Sequence, residues 1–242
     1  MPPVLPLVAS HLTGPHLVLD PLVEADAAEL GRVLMQPELY AHGYVMHHRP
    51  LDADDALAMA RGFVHASVPT GSGQGRTPYA IRLGVDTDLA PAGTFVGTSS
   101  LGDFHTERES AHLGWTLYDS RFWSTYVNPE AKLLLLTHAF EDLGYGRVKI
   151  QTDKLNTRSQ AAIAKLGATR EGVLRRHVPR EDGTFRDTVV FSITIDDWPS
   201  VKQKASRRGF RASDLVWRGL PAPVGLSRYV VKLSLTMANL PW

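Results

Sequence analysis

The chain contains no cysteine. That absence removes disulfides, thiolate metal centres and a thiol nucleophile at once, and it agrees with a cytoplasmic protein. No run of ~18 or more apolar residues occurs, so no transmembrane helix and no membrane partner are expected. The opening MPPVLPLVAS lacks the basic residues of a secretory leader, and prolines interrupt its apolar run. Charge of one sign is not in excess either: 26 Lys and Arg against 25 Asp and Glu leave a net charge of +1. General nucleic-acid binding is therefore not expected.

What remains is ordinary: 242 residues, 43% hydrophobic and 21% charged, enough to bury a real core. Charge is nevertheless uneven. Residues 201–242 carry eight Lys or Arg and one acid, Asp214. We divide the chain into a domain over 1–203 and a basic C-terminal extension over 204–242. The extension, in which Tyr229–Leu235 alternates like a strand, reads as a peripheral segment or an arm of a homodimer.

Periodicity gives a mixed α/β order, β-α-α-β-β-β-α-β-α-β-β. Leu17–Leu19 is a first strand. Helices follow over Val23–Met35 and from Asp52 to about His65, the latter opening on aspartates suited to a helix N-terminus. Between them lies a loop rich in Tyr and His, from Tyr40 through His42, Tyr44 and His47 to His48. Its histidines have no carboxylate at metal-ligand spacing, and no metal is expected. Val68–Thr77, with Gly71, Gly73 and Gly75, reads as a loop; it leads to a strand, where a phosphate-cradling loop would lead to a helix. Strands over Tyr79–Val85, Thr94–Leu101 and Ser110–Tyr118 are spaced like an antiparallel meander. A helix from Asn128 to about Leu143 ends at Gly144, and a strand spans Arg147–Thr152. Asn156 caps a helix that Gly167 stops, and a hairpin over Thr169–Pro179 and Thr184–Ile195 turns at Asp182–Gly183.

The stretch Ala111–Phe140 organises the rest. Strand, short polar and aromatic loop, and helix succeed one another there. Unpaired backbone N–H groups and the positive end of a helix dipole thus meet at one point, suited to a phosphate or another anion.

Several ordered blocks carry a resemblance. They are Phe95–Val96–Gly97–Thr98–Ser99–Ser100–Leu101, Leu113–Gly114–Trp115–Thr116–Leu117 and Glu130 to Leu136. The most specific is Gln151–Thr152–Asp153–Lys154–Leu155–Asn156–Thr157–Arg158–Ser159 with Ile163 to Ala168; Glu171 to His177 completes the set. Over about residues 10–203 the chain resembles the GCN5-related N-acetyltransferase (GNAT) superfamily, in its RimJ/RimL-like branch. The resemblance implies a single α/β domain with a mixed, mostly antiparallel central sheet flanked by helices. It also implies acetyl-CoA as cosubstrate and direct acetyl transfer to a primary amine, on a protein N-terminus or a small molecule.

In that superfamily the loop between central strand and helix wraps the cofactor pyrophosphate, with the pattern Arg/Gln-x-x-Gly-x-Gly/Ala. The matching positions here are Arg121, Ser124 and Tyr126, so both small positions have changed. The resemblance places the cofactor against Leu117, Tyr118, Arg121, Ser124, Thr125, Tyr126, Val127 and Asn128, and against Asn156, Arg158 and Lys165. It points to Ser159 as the group that meets the departing sulfur. His112 stands where the branch often has Glu, and a histidine near its ordinary pKa of ~6.5 can accept a proton at neutral pH. An α-amine, with a reference pKa of ~7.7–8.0, needs far less help from such a base than a lysine near ~10.4. With the altered loop, a protein that holds CoA without turnover is the alternative reading, and an adaptor acting through the basic tail is a third.

Overall fold

In the computed structural model, residues 10–41, 48–66, 75–180 and 182–209 are described, with the backbone alone for 205–209. Eight strands make one sheet: β1 (Leu12–Thr13), β2 (Leu17–Pro21), β3 (Arg76–Leu83), β4 (Phe95–His105), β5 (Ser110–Tyr118), β6 (Arg147–Asp153), β7 (Thr169–Pro179) and β8 (Phe185–Thr194). Their order is β1-β2-β3-β4-β5-β6-β8-β7. Every neighbouring pair is antiparallel except β5 and β6, which run parallel. A parallel pair needs a crossover, supplied here by α3 (Val127–Thr137) with its π-helical continuation His138–Asp142.

The remaining helices are α1 (Ala27–Leu34), α2 (Ala53–His65), α4 (Thr157–Leu166) and α5 (Trp198–Gly209). α1 buries Leu30, Val33 and Leu34 at helical spacing in a cluster with Ala60, Phe63, Ala80 and Phe95. The larger cluster lies on the other face of the sheet. It joins Leu19, Tyr79, Leu113, Ala131, Leu135, Ile150, Ile163, Phe191 and Trp198. α1 and α2 therefore cover one face, and α3, α4 and α5 the other.

The expected order of elements is the observed one, with four differences. A two-residue strand, β1, precedes the strand expected first. Arg76 and Thr77 begin β3 and do not close the glycine loop, of which residues 67–74 lie outside the described set. β4 runs on to His105. A fifth helix, α5, is not among the expected elements: it begins at Trp198, with Trp198 and Val201 both 3% exposed in the main cluster. Trp198 stacks on Phe140 at 5.0 Å and donates its indole N–H to Glu141. Composition reported the polar outer face of α5 and hid its two anchors. Residues 210–242 and the His42–His47 stretch, with the readings made on them, lie outside the described residues. No helix among those described is long and apolar enough to cross a membrane.

Candidate active site

The site begins where β5 and β6 part. They pair from Ser110 with Arg147 as far as Leu113 with Ile150, and no further. From Gly114 onward the edge of β5 that faces β6 is unpaired, while its other edge stays bonded to β4. Two local features shape this splay. A bulge sets Trp115 and Thr116 opposite Ser99, with Trp115 at φ +51°. At Gly97 the strands approach so closely that an added Cβ would stand 2.1 Å from the Leu117 carbonyl oxygen.

Asp119 donates its N–H to Val96 on β4. Alternation along an extended strand then turns the N–H of Tyr118 to the opposite edge, into the splay. Tyr118 C=O faces the same way and accepts from Trp123 Nε1 at 3.0 Å.

The loop from β5 to α3 is held by its own side chains. Asp119 accepts from the Arg121 backbone N–H and from its guanidinium, with Nη2 at 2.7 Å. This pair lowers the Asp119 carboxyl pKa against the opposing effect of burial. Thr125 Oγ1 donates to the Phe122 carbonyl at 2.6 Å and accepts from Val127 N. Ser124 takes φ +62°, so the position where the family places Gly does require the left-handed conformation, and a serine adopts it here. Tyr126 turns away from the loop, its ring 4.7 Å from that of His16. The backbone N–H groups of Ser124, Thr125 and Tyr126 have no acceptor among the described residues. They stand with Asn128 at the first turn of α3. This cradle fits a pyrophosphate, and the Tyr126 ring packs on His16.

Glu130, in that same first turn, is 1% exposed. It accepts from the backbone N–H groups of His16 and Leu17 and from His16 Nδ1, at 2.8, 2.9 and 2.8 Å. One buried carboxylate thus fastens the β1–β2 turn to the helix that opens the cradle. Sequence reasoning did not assign it, because the carboxylate's partners lie more than 110 positions away.

Across the splay, Asn156 caps α4: its Oδ1 accepts the Ser159 N–H at 2.9 Å. The Ser159 hydroxyl forms no hydrogen bond among the described residues and stays free at the helix mouth. Arg158 lies over the Trp123 ring at 4.4 Å, so α4 leans on the β5–α3 loop across the groove. Lys165 is not part of this grouping. It sits in the last turn of α4, about 13 Å along the helix from Asn156.

His112 lies before the bulge, 3% exposed. Its Nδ1 meets Asp103 Oδ2 at 3.1 Å, and Lys149 Nζ reaches the same oxygen at 3.3 Å. Burial lowers the His112 pKa and the Asp103 hydrogen bond opposes it; Asp103 in turn is held below the usual carboxylate range by His112. A neutral ring that donates from Nδ1 has a lone pair on Nε2. That nitrogen is buried without a partner among the described residues and points toward Gly114, where a Cβ would meet it at 2.8 Å. The ring packs on Trp115 with centroids 4.5 Å apart. Asp103, at the far end of β4, is the residue that orients His112.

Comparisons with known proteins agree with this fold. A family model described as an acetyltransferase (GNAT) domain matches residues 16–169. YdaF of Bacillus subtilis strain 168, provisionally named a ribosomal N-acetyltransferase, is 28% identical over 127 residues, 52% of this chain and 68% of that one. A structure from T. thermophilus, provisionally described as an acetyltransferase, is 32% identical with a TM-score of 0.69, over 84% of this chain and 99% of the other. Mycobacterium smegmatis RimJ, in complex with CoA-disulfide, superposes with a TM-score of 0.65 over 86% of this chain and 98% of its own; at 22% identity it speaks to the fold alone. The chain belongs to the GNAT acetyltransferase family and is an acetyl-CoA-dependent acyltransferase.

Proposed function

We propose that the protein transfers the acetyl group directly to the primary amine of a small molecule or a protein N-terminus. The donor lies in the β5–β6 splay. Acetyl-CoA, when bound, supplies an acetyl group already activated as a thioester. The free N–H groups of Ser124, Thr125 and Tyr126, with Val127 and Asn128 at the start of α3, hold its pyrophosphate. Arg121 and Arg158 add positive charge at the two rims. The unpaired edge of β5 at Leu117 and Tyr118 orients the extended arm, and the Tyr118 N–H polarises the reacting carbonyl.

His112 Nε2 takes the proton that the amine gives up as the C–N bond forms, directly or through one water. Ser159, with its hydroxyl free at the mouth of α4, donates a hydrogen bond to the sulfur as the C–S bond breaks. The observation that carries this reading is the orientation of His112: anchored at Nδ1 by Asp103, orphaned at Nε2, and aimed at the bulge where β5 and β6 part.

The test is thiol release with an α-amine acceptor in three proteins. Relative to the parent, His112→Gln should lower kcat by about 10²-fold or more. Ser159→Ala should lower kcat by less, with little change in acetyl-CoA affinity by calorimetry. Full activity in either variant would remove that residue's role.

A further inference from the structure

Four buried or half-buried polar groups on one face of the central strands have no partner among the described residues: Arg76 Nε, Thr98 Oγ1, Ser100 Oγ and His112 Nε2. They share a face because paired residues do. Thr98 pairs with Ala80 and Leu117, which belong to the cluster under α1 and α2. Two positions on, Ser100 pairs with Pro78 and Gly114, and two further on, Gly102 pairs with Arg76 and His112. Folded proteins satisfy nearly all buried polar groups, so four orphans in one row on one face mark a polar stripe, with Arg76 and His112 at its end.

The Arg76–Gly102–His112 row would give a ligand its shape. Arg76 and His112 are two strands apart, about 10 Å between backbones, with Gly102 between them. Because Gly102 has no side chain, the Trp115 ring settles over it; an added Cβ would lie 2.9 Å from that ring and 2.7 Å from Arg76 Cβ. The Arg76 guanidinium is clasped between Phe63 at 5.0 Å and Trp115 at 5.3 Å. It makes no ion pair among the described residues, whereas Arg82, farther along the same strand, is paired with Asp26 and Glu29. Burial lowers the Arg76 pKa from its ordinary value. A held, uncompensated guanidinium recognises a carboxylate or similar anion.

We propose that Arg76 is the acceptor-recognition residue, and that the acceptor bears a carboxylate or other anionic group a few bonds from the amine that faces His112. This rests on the assignment of the acceptor amine to His112 Nε2. Trp115 is the shared floor, touching both ends of the ligand. Two sources offer this chemistry: a free amino acid, and a peptide or protein whose first residue is acidic.

The experiment compares kcat/KM for matched acceptors with the full chain. One arm sets leucine against leucinamide; the other sets Asp-Ala-Ala-amide against Asn-Ala-Ala-amide. The acidic member of at least one pair should be preferred by about 10- to 100-fold, the worth of a charge-assisted hydrogen bond. The arm that shows the preference identifies the source. Arg76→Gln should bring the ratio close to unity through loss on the acidic member, and Arg76→Lys, which keeps the charge, should retain part of it. Equal use of both members by the parent protein, or a ratio that Arg76→Gln leaves unchanged, would overturn the proposal while the acetyltransferase assignment stands. Acetyl-CoA binding without acetylation of any acceptor, acidic or neutral, would overturn the His112 assignment and this proposal with it.

Discussion

At the scale of single residues, the site depends on side chains held in unusual states. His112 must be neutral to accept a proton. Its pKa lies below ~6.5 because burial penalises the charged ring. The kcat/KM profile should therefore fall on the acid side with a midpoint below ~6.5, leaving the base fully active at neutral pH. Asp103 raises the same pKa through its hydrogen bond. In Asp103→Asn the acid limb should shift to still lower pH while kcat drops, because the ring loses the group that fixes its tautomer. A purely structural Asp103 would change the melting temperature and leave the profile where it was. Ser124 presents the opposite case, a strained residue that glycine would relieve. Ser124→Gly should gain up to about 1 kcal/mol in stability, with acetyl-CoA affinity kept or improved in calorimetry.

At the scale of elements, legibility in the sequence followed the range of the interactions. Caps could be read because their partners are three residues away: Asp52 Oδ1 accepts from Asp55 N–H, and Asn156 Oδ1 from Ser159 N–H. Gly144 and Gly167 end their helices at positive φ, as expected for residues without a Cβ. The turned-out ring of Tyr126, the Asp103–His112 pair and the Glu130 anchor could not be read in the same way, since each depends on which strands become neighbours. Glu130 gives the clearest measurement. Glu130→Ala leaves the buried N–H groups of His16 and Leu17 without their acceptor, at a cost of roughly 3 kcal/mol or more in urea unfolding. Glu130→Gln, which keeps one acceptor oxygen, should cost visibly less.

The β6–β8–β7 edge has its own tie. Arg147 grips Glu171 with two bonds of 2.5 Å, and Ser192 donates to the same carboxylate. The Glu171 pKa is lowered to about 2, chiefly by the Arg147 hydrogen bonds. A carboxylate depressed on folding stabilises above its unfolded pKa and ceases to do so as pH falls through its folded one. The melting-temperature difference between the parent and Glu171→Gln should thus be present at about pH 7 and vanish toward about pH 2. It should also be modest, because the pair is about one-third exposed.

For the molecule as a whole, the proposal gives one sheet two functions around the point where β5 and β6 part: the strands beyond Leu113 and Ile150 would admit the acyl donor, and the face under α1 and α2, at Arg76 and His112, would meet the acceptor. The anchoring of α5 by Trp198 and Val201 belongs to this scale as well. Trp198→Ala should cost about 3–5 kcal/mol.

The most direct test of the account is to follow one turnover of acetyl-CoA with an α-amine acceptor, measuring free thiol and acceptor mass together. The account predicts one acetyl group added to the amine for each thiol released. Tight acetyl-CoA binding with thiol released only at the rate seen without acceptor, and no acetylated amine, would contradict it and leave a CoA-binding protein in its place.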